Sequence, residues 1–374
     1  MDRSADIAIV GAGIVGLAHA YMALRKGYKV VVFEREQFAV GASVRNFGLV
    51  WPIGQEPGVG LDRALRARRH WEEVASQAGF WMKANGSLHL AYHDDEWNVL
   101  NEFMELYKDA GYSCSLLDAA AVQKHSPVVR NENLRGGLWS ETEGTVYARE
   151  AIRKIPLWLQ EKYGLILKFG HVVTEIDVPL IKTARESWRV DKVYVCSGAD
   201  FETLYPEIYD QHPVSKCKLH MMKAVTEKPV NIGPTLCAGL TLRHYAAFGK
   251  CASLKALDKR YDEQSEDFKK HGVHVLLAQN EAGELIIGDS HHYSRTVEPF
   301  DPEYINTIIL NYLHEFVDLG KYSITERWHG IYPKVQGNIS LVLEPQPHVT
   351  IVNGLGGAGM SLSFGLAEEV IGRL

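Results

Sequence analysis

Cysteine is scarce in this chain: Cys114, Cys196, Cys217, Cys237 and Cys251 are five in number and never spaced CxxC. That spacing excludes a disulfide framework and a structural zinc site, and makes a reducing cytoplasm the expected home. Positive charge is not in excess either. With Lys+Arg 40 against Asp+Glu 46 the net charge is −6 and no basic arm is present, so nucleic acid is not an expected partner. Internal repeats and low-complexity linkers are missing, no P-loop occurs, and Gly359 to Ser363 lacks the GxSxG order of a nucleophile elbow. Acidic and basic residues are wholly absent from Ile7 to Leu24. This run is still not read as a signal peptide or membrane span: Asp2 and Asp6 stand where a basic n-region would be, glycines interrupt the run, and a strand pattern follows at once.

What is present begins in that same run. Ile7, Ala8, Ile9 and Val10 read as a buried parallel strand, and Gly11, Gly13 and Gly16 follow at GxGxxG spacing before a helical pattern. Gly11 suits a tight turn, Gly13 close backbone approach to a pyrophosphate, and Gly16 with Ala20 close packing of helix on strand. A second strand, Lys29 to Phe33, ends at Glu34, at the usual distance for an acid that takes ribose hydroxyls. A dinucleotide site is the reading. At 374 residues the chain is expected to form two domains.

The loop from Gly41 to Gly60 is too long, and too rich in large side chains, for a plain connector. Ala64, Ala67, Trp71, Val74 and Ala78 make one helical stripe, and Trp97, Leu100, Met104 and Tyr107 a second. Another helix follows Gly144 to Glu150, with Pro156 expected to kink or limit it. Lys192 to Cys196 is a strand ending at Ser197, Gly198 and Ala199. From Lys216 to His292 the pattern is β-rich, with strands at Leu219 to Thr226, His274 to Gln279 and Leu285 to Gly288. Asp301 and Pro302 read as N-cap and first residue of a helix. Val349 to Val352 is a last strand before Gly354, Gly356, Gly357 and Gly359, which repeat the opening device at the far end.

In this order the segments GAGIVG with Glu34, GASVRNFG, GTVYARE, VYVCSGAD, WHGIYP and GLGGAGMSLSFGLA resemble the D-amino-acid oxidase, glycine oxidase and sarcosine oxidase superfamily of FAD-dependent oxidoreductases. The runs VRNFGLVWPIGQ, LTLRHY, GDSHHY and RWHGIY are similar to a subgroup associated with phosphonate utilisation. The resemblance implies an α/β fold: a discontinuous Rossmann-like FAD-binding domain of glutathione-reductase type (1–82, 143–213 and 324–374) and an α+β substrate domain on an antiparallel sheet (83–142 and 214–323). It implies oxidation of an amine at its α-carbon. Within the subgroup the substrate is a small anionic amine, 2-aminoethylphosphonate or its N-methyl derivative, and the electrons pass to O2 or another acceptor.

Carried onto this chain, the family's cofactor contacts fall on Gly11, Gly13, Ile14, Val15, Gly16, Glu34 and Arg35, then on Ser43, Arg45, Asn46, Phe47 and Gly48 of the loop passing the phosphates. They continue at Val173 for adenine, Ser197 and Gly198 beside the pyrophosphate, and Gly356, Gly357, Ala358, Gly359 and Met360 against the flavin. No cysteine lies in Ile331 to Ser340, where covalent relatives attach their flavin, so FAD is expected to be noncovalent. Leu285, Ile286 and Ile287 stand where oxygen-using relatives carry a lysine, which leaves the acceptor open.

Flavin supplies the difficult chemistry, so the protein has to orient the substrate and hold its anionic end. The candidates sit on three segments: Arg243, His244 and Tyr245; His291 and Tyr293; His329 and Tyr332. Several converging donors suit a phosphonate better than a carboxylate, although each side chain is equally at home as a solvated surface group. Of these, Arg243, Tyr245, His291, His329 and Tyr332 are taken as the catalytic set. Arg295 and Lys334 are assigned to solvent. No metal is expected: His271 and His274 lie an odd number of residues apart on an expected strand, and His291 and His292 are adjacent, so each pair points to opposite faces.

Overall fold

The computed structural model describes residues 3–374. An eight-stranded sheet is built on parallel strands in the spatial order Val349–Asn353, Ser187–Val195, Ser4–Val10, Val30–Glu34, Ile166–Phe169. Val30–Glu34 is buried at every position, as a strand covered on both faces must be. Helices Ile14–Arg25, Val59–Ala78, Ala148–Tyr163 and Gly359–Gly372 pack on one face. Phe201, Leu204 and Tyr209 pack on the other, beside the antiparallel ribbon of Val173–Asp177 and Leu180–Thr183.

Helix Ile14–Arg25 explains the run without charges. Every residue from Ile14 to Leu24 except Val15 is buried inside the protein. No helix among the described residues is long and apolar enough to cross a membrane.

The second sheet has nine strands. Its spine is Val214–Thr226, paired along its length with Tyr322–Val335 and also with Leu285–Gly288 and His292–Ser294. Thr235–Cys237 runs parallel to Ser87–Ala91, so this sheet is mixed where an antiparallel one was expected. Residues 324–335, expected with the cofactor domain, instead lie in this second sheet through Tyr322–Val335. A third, three-stranded sheet joins Leu49–Val50, Gly144–Val146 and Met82–Lys83.

Two local readings change. Pro156 does not limit its helix, which continues to Tyr163 with Ile155, Pro156, Trp158 and Leu159 buried. Asp301 does not cap the following helix, which runs Glu303–Phe316 with Pro302 at its N-cap. Its carboxylate is drawn instead to Lys218 Nζ at 2.6 Å and His329 Nδ1 at 2.9 Å.

Candidate active site

Strands Ser4–Val10, Val30–Glu34, Ser187–Val195 and Val349–Asn353 all end at the mouth of one cleft of about 490 Å³, lined by Gly11, Glu34, Cys196 and Asn353. The carboxyl ends of parallel strands are where such sheets bind ligands. The cleft continues without interruption to His244, His274, Asp289, Tyr332 and Lys334 at the second sheet.

The cofactor end is shaped by absent side chains. Gly11 has φ +104°, and a Cβ there would lie 2.4 Å from the Cys196 carbonyl oxygen. A Cβ on Gly13 would meet only Ser43 Oγ, at 3.1 Å, so its open side faces the cleft. Helix Ile14–Arg25 has no cap of its own; Ser43 reaches across from the loop and accepts from Ile14 N at 2.9 Å. Glu34 closes the turn by accepting from Ala12 N at 3.0 Å and Glu36 N at 3.1 Å.

Most of the expected cofactor residues line the cleft: Gly11, Gly13, Ile14, Val15, Glu34, Arg35, Ser43, Arg45, Asn46, Phe47, Val173, Ser197, Gly198 and Gly356 through Met360. Gly16 and Gly48 do not. A Cβ on Gly16 would lie 2.0 Å from Gly11 O and one on Gly48 1.9 Å from Val146 O, so both are needed for close backbone crossings. Asn46 is committed to its own loop, donating to Ala42 O at 2.8 Å and accepting from Gly48 N at 2.7 Å.

The expected catalytic set divides. Tyr245, His291 and Tyr332 line the cleft. Arg243 does not: it turns away to Asp258 at 2.8 Å and Asp262 at 2.6 Å, an anchor outside the cleft. His329 is also absent from the cleft, held by Asp301 in a separate groove with Arg45, Arg149, Arg153 and Arg327. Lys334, assigned to solvent, is inside. A Cβ built on Gly356 would lie 2.9 Å from Lys334 Cδ and 3.4 Å from its Nζ, which puts the ammonium against the glycines expected to face the flavin. Tyr332 Oη lies 3.5 Å from a Cβ built on Gly357. Tyr332 and Lys334 are two apart on one strand and share a face, a period-2 signal present in WHGIYPK.

Three imidazoles gather where none of the adjacent pairs could. His244 comes from Leu240–His244, His274 from the segment before Leu276–Gln279, and His291 from the segment before His292–Ser294. Ring centroids are 3.8 Å apart for His244 and His274, 4.4 Å for His244 and His291, and 5.0 Å for His274 and His291. Ring nitrogens of the three lie within 4.8 Å of one another. An imidazole lone pair lies in its ring plane, so ligands of one ion have planes that meet at the ion. Here the planes are stacked, 23° apart for His244 and His274 and 19° for His274 and His291, and do not converge.

Asp289 lies beneath the stack, with Oδ1 3.0 Å from His274 Nε2 and Oδ2 3.8 Å from His291 Nε2. The first contact is close but misaligned, and Oδ1 has no hydrogen-bond partner. His291 Nδ1 is 3.1 Å from Gly272 O. Desolvation, together with neighbouring imidazoles and Lys334, holds His244 well below its usual pKa; desolvation also lowers His291, with Asp289 opposing it. Burial pushes the Tyr245 and Tyr332 hydroxyls well above the usual phenol range.

A family model described as FAD dependent oxidoreductase matches residues 6–373. The chain belongs to that family. Among its relatives is N-methyl-L-tryptophan oxidase of Citrobacter koseri, 27% identical over 56% of this chain and spanning 58% of the relative. Glycine oxidase of Geobacillus kaustophilus is 20% identical over 91% of this chain and 84% of its own. Its crystal structure superposes with a TM-score of 0.79 over 99% of this chain and 95% of the other, at 17% identity. The FAD-bound structure of L-α-glycerophosphate oxidase from Mycoplasma pneumoniae gives 0.74 at 15% identity, over 99% of this chain and 95% of that one. The α/β fold is that of FAD-binding members of the family, and the cofactor of this oxidoreductase is FAD. The residues present fit it: bare Gly13, the amide end of Ile14–Arg25, the carboxylate of Glu34 at its strand end, and Gly356 to Met360 across the cleft.

Proposed function

We propose that this oxidoreductase oxidises a small primary or N-methyl amine bearing an anionic group, foremost 2-aminoethylphosphonate or its N-methyl derivative. The observation that carries the reading is Lys334. Its ammonium enters the cleft beside the flavin-facing glycines, with no ion pair among the described residues. A cation so placed calls for an anion on the ligand, and Tyr332 and Tyr245 add hydroxyl donors around it.

FAD, when bound, supplies the acceptor for hydride from the substrate's α-carbon. The chain supplies position. Lys334 and Tyr332 hold the anionic end, so the α-carbon is set by the length of the substrate rather than by a grip on the reacting atoms. Trp51, Phe47 and Leu219 line the same space and exclude water while the amine is oxidised. The imine then hydrolyses to an aldehyde and ammonia or methylamine. With no cysteine in Ile331 to Ser340, the cofactor is held noncovalently.

The test is direct. The purified protein should be yellow, and anaerobic 2-aminoethylphosphonate or its N-methyl derivative should bleach it where sarcosine and glycine do not. Bleaching by sarcosine or glycine alone moves the substrate to the amino-acid class. No bleaching by any amine overturns the enzymatic reading in favour of a noncatalytic flavin protein.

A further inference from the structure

An amine enters water-facing sites as an ammonium ion, because an aliphatic amine has a pKa of about 10. Hydride can leave its α-carbon only when nitrogen has a free lone pair, so a proton must go elsewhere first. We infer that the imidazole stack on Asp289 takes that proton, with His274 Nε2 as the accepting atom; the inference rests on the amine-oxidation reading above.

Geometry selects this group. His274 lines the cleft, and its Nδ1 is sealed from solvent with no partner, so the edge that meets the cleft carries Nε2. Asp289 Oδ1 is 3.0 Å from that nitrogen and is otherwise an orphaned buried acceptor. A proton on Nε2 therefore gives an unsatisfied carboxylate its missing partner once the ring turns to align with it. The groups that face His274 are His244, stacked on it; His291, beyond it and tied to Gly272 O; Asp289; Tyr245, whose ring centroid is 5.7 Å away; and, around the same chamber, Tyr332 and Lys334. Among these Asp289 is the one carboxylate, and burial holds the Tyr245 and Tyr332 hydroxyls well above the usual phenol range. His244 and His291 are kept neutral by desolvation, so neither adds a second positive charge against the new imidazolium.

The transfer balances as R–CH2–NH3+ plus neutral His274 giving R–CH2–NH2 plus His274–H+, paired with Asp289. No electrons move, and the proton returns to solvent with the product. Asp289 acts as a positioning residue: it orients the ring and stabilises its charged form.

The holoenzyme tests this with Asp289→Asn and His274→Gln. The probe is the amine that bleaches wild type, together with its α,α-dimethyl analogue, which has no α-hydrogen to lose. In wild type the analogue should bind at pH 7.5 with no net proton exchange, measured calorimetrically in buffers of different ionisation enthalpy. In either variant it should bind as free amine and release about one proton per ligand. Substrate bleaching should slow by roughly 100-fold at pH 7.5 and recover about tenfold per pH unit toward pH 10, where the amine is neutral by itself. Variants that keep FAD and show the wild-type proton count and pH profile overturn the assignment. If both variants lose FAD, wild type decides: release of a full proton on binding the analogue, or bleaching that climbs about tenfold per pH unit from pH 7.5 toward pH 10, overturns it, and bleaching that is level over that range without proton release supports it. Failure of every amine to bleach wild type would instead sink the amine-oxidation reading.

Discussion

Lys334→Met isolates one charge. Methionine retains most of the aliphatic stem that lies against Gly356, where Cδ comes within 2.9 Å of a Cβ built on that glycine, and removes only the ammonium. A hydrogen bond to a charged group contributes about 1.5–3 kcal/mol net, equivalent to roughly 10- to 150-fold in affinity. Because the anionic end binds equally in the ground state and the transition state, the loss should fall on KM and leave kcat within a few-fold. Stopped-flow bleaching of the flavin at graded substrate concentration separates the two. FAD content read from the visible spectrum controls for damage to the cofactor site. A half-saturation concentration within twofold of wild type, with FAD retained, would refute Lys334 as the anion anchor and with it the proposal that the substrate is anionic.

Gly13→Ala should preserve the fold, since its Cβ meets only Ser43 Oγ, yet cut FAD content; Gly11→Ala, strained at φ +104° and 2.4 Å from a carbonyl oxygen, should lower the melting temperature of the apoprotein as well. Equal thermal shifts in the two variants would contradict the distinction. Arg243→Ala should cost about 1 kcal/mol of stability through its lost ion pairs and leave KM unchanged; a raised KM would bring Arg243 back to the substrate. Desolvation depresses His89 from 6.5 to about 3 and His19 to about 4. Both favour the folded state above pH 6.5, and each should withdraw about 1.4 kcal/mol per unit as pH falls from there toward its folded value. Urea unfolding of His89→Leu between pH 7 and 4.5 should show a shallower decline than wild type; an identical slope would mean that His89 does not titrate on unfolding.

The dinucleotide half was legible because its physics is local. Glycines at fixed offsets, a strand on either side and an acid at the strand end are all read within Ile7 to Glu34. Ser43 was legible as a loop residue near the phosphates, but its capping of Ile14 is a contact across 29 positions that no local rule contains. The substrate end was legible only in part, for the same reason. Sequence spacing pairs His271 with His274 and His291 with His292, whereas the stack draws one residue from each of three separated segments. Arg243 carried the strongest local signal for an anion, yet Asp258 and Asp262 on the next helix satisfy it. Lys334, expected in solvent, lies in the cleft. Its face could have been read from the alternation with Tyr332, had the strand been known to extend to Val335.

The long pairing of Val214–Thr226 with Tyr322–Val335 turns that strand into a ruler. Its far end is pinned by an isolated bridge between Lys334 and Leu355, one residue before Gly356 at the cleft. Tyr332 and Lys334 are therefore graduations about 6.8 Å apart on a rigid scale whose zero is the cofactor side. A shift of one residue in register would turn both side chains to the opposite face, so the scale cannot be lengthened by small steps. Chain length of the substrate is the property such a wall measures, and a change in preferred length should require residues on the opposing wall to change instead.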